Sequence, residues 1–122
     1  MKLKVKRVYD PPAKTDGLRV LVDRLWPRGL SKDKAKIDHW LKDIAPSDGL
    51  RKWFAHDPDK WKEFKRRYFT ELDKGPERVS ELRALARKGT VTLLFGAKDA
   101  QHNNAVALAE YLVTKHRTPR GG

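Results

Sequence analysis

The chain has 122 residues, enough for one domain with a real core and too few for two ordinary ones. It contains no cysteine, which excludes disulfides, thiolate nucleophiles, iron–sulfur clusters and cysteine-based zinc sites, and it has neither a signal-peptide core nor a run near the ~20 apolar residues of a bilayer span, so a cytoplasmic protein with no membrane partner is expected. A formal net charge of +12 and an isoelectric point of about 10.1 make nucleic acid or another polyanion a candidate partner, although bases spread over the whole chain also suit a merely solvated surface.

Leu3 to Val8 alternate apolar and charged residues, the period of a strand with one wet face, which belongs near a sheet edge. Pro11-Pro12 and Asp16-Gly17 mark a loop. Leu18 to Leu25 then read as a second strand, and the unbroken Val20-Leu21-Val22 centre predicts burial on both faces. Ser31 is placed to N-cap a short helix over Lys32 to Lys36. Ile37, Trp40, Leu41 and Ile44 fit either a helix or an irregular strand.

From Pro58 to Leu72 the residues Trp61, Phe64, Tyr68, Phe69 and Leu72 recur at helical spacing, and core packing is their expected role. Pro76 opens a further helix, whose stripe of Val79, Leu82, Leu85 and Ala86 runs to a stop at Gly89. Thr90 to Ala97, TVTLLFGA, is β-branched and apolar through its centre and is expected as a central strand. Beyond Lys98 to Asn104 comes a helix carried by Ala105, Val106, Leu108, Ala109, Leu112 and Val113. Residues 1–115 are expected to form a single α/β domain; 116–122, with nothing apolar to bury, a basic mobile tail. The succession of elements predicts an α/β fold in which a small, largely parallel sheet is covered by helices, three-layered and Rossmann-like.

In such sheets ligands bind beyond the carboxyl ends of the central strands. VDRLWPRG, from Val22, and GAKDAQHNN, from Gly96, occupy that position. Arg24 and Arg28 offer planar, multidentate donors to phosphate or carboxylate, Lys98 adds a point charge, and Asn103 completes the polar set. An internal salt bridge from Asp23 or Asp99 to Arg24 would use the same charges differently. Trp26 either stacks on a base or sugar or closes the core. Asp99, Asn103 or Asn104 can N-cap the last helix, whose start also offers N–H groups to an anion. His102, with Asp99 or Asp23 as the orienting carboxylate, is the candidate for proton transfer; a structural histidine at a helix start is the alternative. His39, His56 and His116 have no spacing that suggests a metal, and no metal or cofactor is expected. A divalent-ion nuclease site built from Asp23, Asp99 and Lys98 lacks an acid two positions before the lysine, where Gly96 stands.

Four segments in order, LVDRLWPRG, WLKDIAPSDGLRKWFAHDP, WKEFKRRYFTEL and TLLFGAKDAQHNNAVALAEYL, resemble the YeaO-like branch of the domain-of-unknown-function 488 family over nearly the whole chain apart from the basic tail. The resemblance implies a compact prokaryotic α/β domain of no established activity, with its first two strands parallel. Other branches carry a cysteine-histidine-arginine element before the last helix; here His102-Asn103-Asn104 stands there, which removes thiol chemistry. The functional expectation is an uncharacterised protein that binds a phosphate-bearing small molecule or nucleic acid at the strand ends. Two alternatives stand beside it: a metal-independent hydrolase or transferase using His102, and a protein-interaction module using its basic helices.

Overall fold

The computed structural model describes residues 2–115, so the tail from His116 lies outside the described residues. Four strands, β1 (Leu3–Arg7), β2 (Leu18–Leu21), β3 (His39–Trp40) and β4 (Val91–Phe95), form one sheet in the order β1-β4-β2-β3. Every pairing is parallel. The helices are α1 (Lys32–Ala35), α2 (Asp48–Phe54), α3 (Trp61–Asp73), α4 (Pro76–Lys88) and α5 (Asn104–Lys115). No helix among the described residues is long and apolar enough to cross a membrane.

The half-wet β1 lies at an edge, and β4, apolar except for Thr92, lies in the middle with all its residues buried. The first two strands are parallel, as expected, but they are not neighbours: Leu3 and Leu18 both pair with Val91, on opposite sides of β4. One face of the sheet, carrying Val20, Leu93 and Phe95, meets the stripes of α3, α4 and α5, among them Phe64, Tyr68, Leu82 and Leu108. These are the positions whose helical spacing predicts core packing.

The other face is covered more thinly, so the layers are unequal. Leu21, Leu94 and Val8 pack there against Trp26, Leu30 and Ile37, and the single helical turn α1, N-capped by Ser31, follows Leu30 in the chain. Where apolar cover runs out, a closed charge network replaces it. Asp16 accepts from Arg19 Nη1 at 2.6 Å and from Lys6 Nζ at 3.2 Å, while Arg19 also donates to the carbonyls of Ala35 and Lys36. Thr92 Oγ1 donates to the Asp16 carbonyl at 2.7 Å. Gly17 makes this corner possible, because its φ of 65° is left-handed and a Cβ would stand 2.2 Å from the Thr90 carbonyl oxygen.

Several boundaries differ from the sequence expectation: the first strand stops at Arg7 and not Val8, and the central one spans Val91–Phe95 and not Thr90 to Ala97. The second strand ends at Leu21, not Leu25, after one further ladder bond from the Val22 N–H to the Leu94 carbonyl; Asp23 then takes the next β4-side amide with its side chain. The ambiguous stretch from Ile37 resolves into the two-residue β3 and a 3-10 turn, Lys42–Ile44. The helix expected from Pro58 begins as a 3-10 turn, Pro58–Lys60, before α3 proper, with Asp57 accepting the Asp59 N–H.

Candidate functional site

Parallel strands aim their carboxyl ends at one side of the domain, and a cavity of about 510 Å³ opens there. That volume falls within the range of roughly 300–1,000 Å³ common to small-molecule sites. The segment after β2 supplies Asp23, Arg24, Trp26 and Arg28; Gly96 and Ala97 follow β4; Asn103 and Asn104 start α5. From the opposite wall come Arg51 and Phe54 of α2, His56 beyond it, and Phe64 of α3.

Asp23 ties these elements together. Its Oδ2 accepts the Gly96 N–H at 2.8 Å, and its Oδ1 accepts from Asn104 Nδ2 at 3.0 Å. The same Asn104 amide donates to the Val22 carbonyl at 2.9 Å. Burial pushes the Asp23 carboxyl above the usual aspartate pKa, and the bonds from Asn104 and Gly96 recover only part of the difference. Gly96 has little room for a side chain, since a Cβ would lie 3.2 Å from Asp23 Oδ2.

Against this one carboxylate stand Arg24, Arg28, Arg51 and His56. Arg24 bonds to the Pro46 and Ala45 carbonyls, both at 3.4 Å, and comes no nearer than 3.9 Å to Asp48. It pairs with neither Asp23 nor Asp99 among the described residues, so the internal bridge weighed from the sequence is not formed. Arg51 meets the exposed Asp48 at 3.4 Å. The side chains of Arg28 and His56 make no hydrogen bond or ion pair among the described residues; only the Arg28 carbonyl is engaged, by the Tyr9 hydroxyl at 2.9 Å.

His56 reaches the cavity from a strained turn. Ala55 and His56 have φ of 47° and 58°, two consecutive left-handed residues that are not glycine, and such conformations cost on the order of 1 kcal/mol each. Bonds from the Ala55 N–H to the Arg51 carbonyl and from the Asp57 N–H to the Phe54 carbonyl hold the turn. Behind it, Phe54 stacks on Phe64 with centroids 4.3 Å apart. Aromatic rings and cations therefore line one space.

Trp26 stands where the cavity meets the thin face. It lines the cavity, and it packs on the thin face with Nε1 donating to the Leu30 carbonyl at 2.8 Å and its ring edge-on to Trp40 at 5.4 Å. Asn103 also lines the cavity while its Oδ1 accepts the Val106 N–H at 2.9 Å as the N-cap of α5.

Lys98, Asp99 and His102 are not among the cavity-lining residues. Lys98 is exposed. Asp99 closes a local turn, accepting the N–H groups of Gln101 at 2.9 Å and His102 at 3.0 Å. The other Asp99 oxygen meets His102 Nδ1 at 2.9 Å, and the imidazole lies edge-on to Trp61 at 5.3 Å. The Gln101 N–H first, then the His102 ring, hold the Asp99 carboxyl below the usual range.

A family model described as the inactive DUF488-N3 subclade matches residues 2–120. The chain belongs to the DUF488 family. It is 42% identical over 112 residues to the uncharacterized protein YeaO of Escherichia coli, covering 92% of this chain and 97% of YeaO. Uncharacterized proteins of Mycobacterium bovis and Mycobacterium tuberculosis are each 40% identical over 111 residues, covering 91% of this chain and 93% of theirs. No solved structure matches the chain.

In this DUF488 domain, sequence reasoning missed Tyr9, Arg51, His56 and Asn104 as cavity residues. Arg51 and His56 come with α2, a seven-residue helix too short for a periodic stripe. A local signal for it exists: Ser47 accepts the Leu50 N–H as N-cap, and Asp57-Pro58 restarts the chain as a new helical turn.

Proposed function

We propose that this DUF488 protein binds a nucleotide, free or within a nucleic acid, in the strand-end cavity and holds it without turnover. The carrying observation is the imbalance of the lining: Arg24, Arg28, Arg51 and His56 face one carboxylate, and that carboxylate is occupied by Gly96 and Asn104. Arg28 presents an uncommitted planar fork, the geometry that takes phosphate through two parallel bonds. Trp26 and Tyr9 supply flat apolar surface suited to a base, above the buried rings of Phe54 and Phe64. Binding without turnover accords with the description of the matching subclade as inactive, and with a His102 imidazole paired to Asp99 away from the lining. A cysteine-free chain suits the reducing cytoplasm, where nucleotides abound.

Calorimetric titration with a nucleoside 5′-monophosphate, the matching nucleoside and inorganic phosphate tests this. The nucleotide should bind more tightly than either part. Arg28→Ala should weaken the nucleotide by roughly ten-fold or more, through the loss of charge-assisted bonds, and leave the nucleoside unchanged. Lys65→Ala and Arg66→Ala should matter little, because those cations already pair with Glu110 and Glu63. Equal losses at all three positions would assign the binding to general surface charge.

A further inference from the structure

A second cavity, of about 300 Å³, adjoins the first. Arg24 and Ala45 line both, so a single stretch of wall divides them. The Arg24 guanidinium is part of that wall and is weakly held by the protein. Its two carbonyl bonds, both 3.4 Å, lie at the outer limit of hydrogen-bond geometry. Its nearest carboxylate, Asp48 at 3.9 Å, is 62% exposed and well screened. The charge is thus available to a ligand on either side.

The second cavity brings two more cations, Lys74 and Arg78, both exposed. The Lys74 ammonium has no hydrogen bond or ion pair among the described residues. The Arg78 side chain donates once among the described residues, to the Asp43 carbonyl at 3.1 Å. Two carboxylates share the lining with these three cations: Asp43, which is exposed, and Glu71, which is turned to other work, one oxygen accepting the Ser47 N–H at 2.9 Å and the other the Ser47 hydroxyl at 2.6 Å. The one aromatic ring in the lining is Tyr68, fully buried, with its hydroxyl donating to the Ile44 carbonyl at 2.7 Å. Lacking the aromatic walls of its neighbour, this cavity suits a charged group rather than a base.

We propose that the second cavity is a second phosphate subsite, so that the ligand is a nucleotide bearing a further phosphate. Lys74 and Arg78 hold that distal phosphate, and Arg24 lies between it and the nucleotide in the first cavity. The inference rests on the nucleotide reading of the first cavity. Two sources carry this chemistry: a nucleoside 3′,5′-bisphosphate and the next phosphodiester of a single strand.

The test titrates a nucleoside 5′-monophosphate, its 3′,5′-bisphosphate and a single-stranded tetranucleotide against three proteins. These are the wild type, a Lys74→Ala/Arg78→Gln variant, and a Lys62→Ala/Lys88→Ala variant that removes equal charge away from both cavities; circular dichroism confirms that each is folded. The wild type should bind the bisphosphate or the tetranucleotide roughly ten-fold more tightly than the monophosphate. The first variant should abolish that advantage and leave the monophosphate within about two-fold, whereas the control should keep it. An advantage for the tetranucleotide alone identifies a strand, and one for the bisphosphate identifies a small molecule. If the first variant does not fold, Lys74→Ala alone should remove roughly half of the advantage on a logarithmic scale. Equal losses in the variant and the control, or no advantage in the wild type, overturn the second subsite while leaving the first cavity intact. Absence of monophosphate binding to the wild type refutes the nucleotide reading itself, and the second subsite falls with it.

Discussion

Asp16 and Asp23 flank the same strand, one buried before β2 and the other half-buried after it, yet their carboxyl groups shift in opposite directions. Burial pushes both upward. At Asp16 the Ala13 N–H, Lys6 and Arg19 outweigh burial and hold the group below the usual value. At Asp23 the donors that touch the carboxylate among the described residues are the neutral Asn104 and Gly96, His56 and Arg51 act from further away, and burial wins. The cations at the amino end have closed on their acid and are consumed in holding the fold. Those at the carboxyl end line a cavity without closing on theirs, and their charge is left for something else.

Breaking the closed network should have the largest effect. Arg19→Met leaves Asp16 with Lys6 as its one cationic partner and strips donors from the Ala35 and Lys36 carbonyls. Removing one member of a buried pair costs about 3–5 kcal/mol, readable as a shift in urea midpoint at constant slope. A loss below about 1 kcal/mol would erase the distinction between the two ends. Asp23→Ala should cost less, about 1–2 kcal/mol, because it unpairs the Gly96 N–H and the Asn104 amide but also removes a charge that burial disfavours.

The pH dependence sharpens the contrast through its sign. With its folded pKa depressed, Asp16 contributes stability that is present above the unfolded value, near 3.8, and lost as pH falls through the folded one. The gap between wild type and Asp16→Asn should therefore widen as pH rises out of the acid range. Asp23 has its folded pKa raised, so ionisation in the unfolded chain favours unfolding once pH passes about 3.8. The gap between wild type and Asp23→Ala should narrow over the same rise. Denaturation curves from pH 3 to pH 7 that show both gaps moving the same way would contradict this pairing.

His102→Ala should do least. Its Asp99 contact is exposed to solvent screening, so the urea midpoint should hardly move, and nucleotide affinity should stay within about two-fold because the imidazole is outside the cavity lining. A ten-fold loss of affinity would mean that the cavity extends to the Asp99 turn.

The sheet and its long helices were legible because their signals are long or continuous. Val91–Phe95 has no polar interruption except Thr92, and α3 repeats its apolar positions over more than three turns. The cavity was legible only on the side that follows strands. Asp23 meets Gly96 across 73 positions of sequence, a contact set by parallel register that no local pattern encodes. Arg51 and His56 arrive on a short helix and a left-handed turn, where hydrophobic periodicity is silent. The Asp99–His102 turn offers the opposite lesson. An aspartate that can accept N–H groups two and three positions on has a local use for its side chain. That competing bond takes His102 as well.

Amide chemical shifts of the labelled protein, followed during titration with a nucleoside 5′-monophosphate at moderate salt, test the central claim most directly. Cations left open at the carboxyl end should give one saturable set of shifts, concentrated at Asp23 to Arg28, Arg51 to His56 and Gly96, with the network around Asp16 and Arg19 unmoved. Shifts scattered over the exposed bases of α3 and α4 that vanish as salt is raised, or no shifts at all, would contradict it.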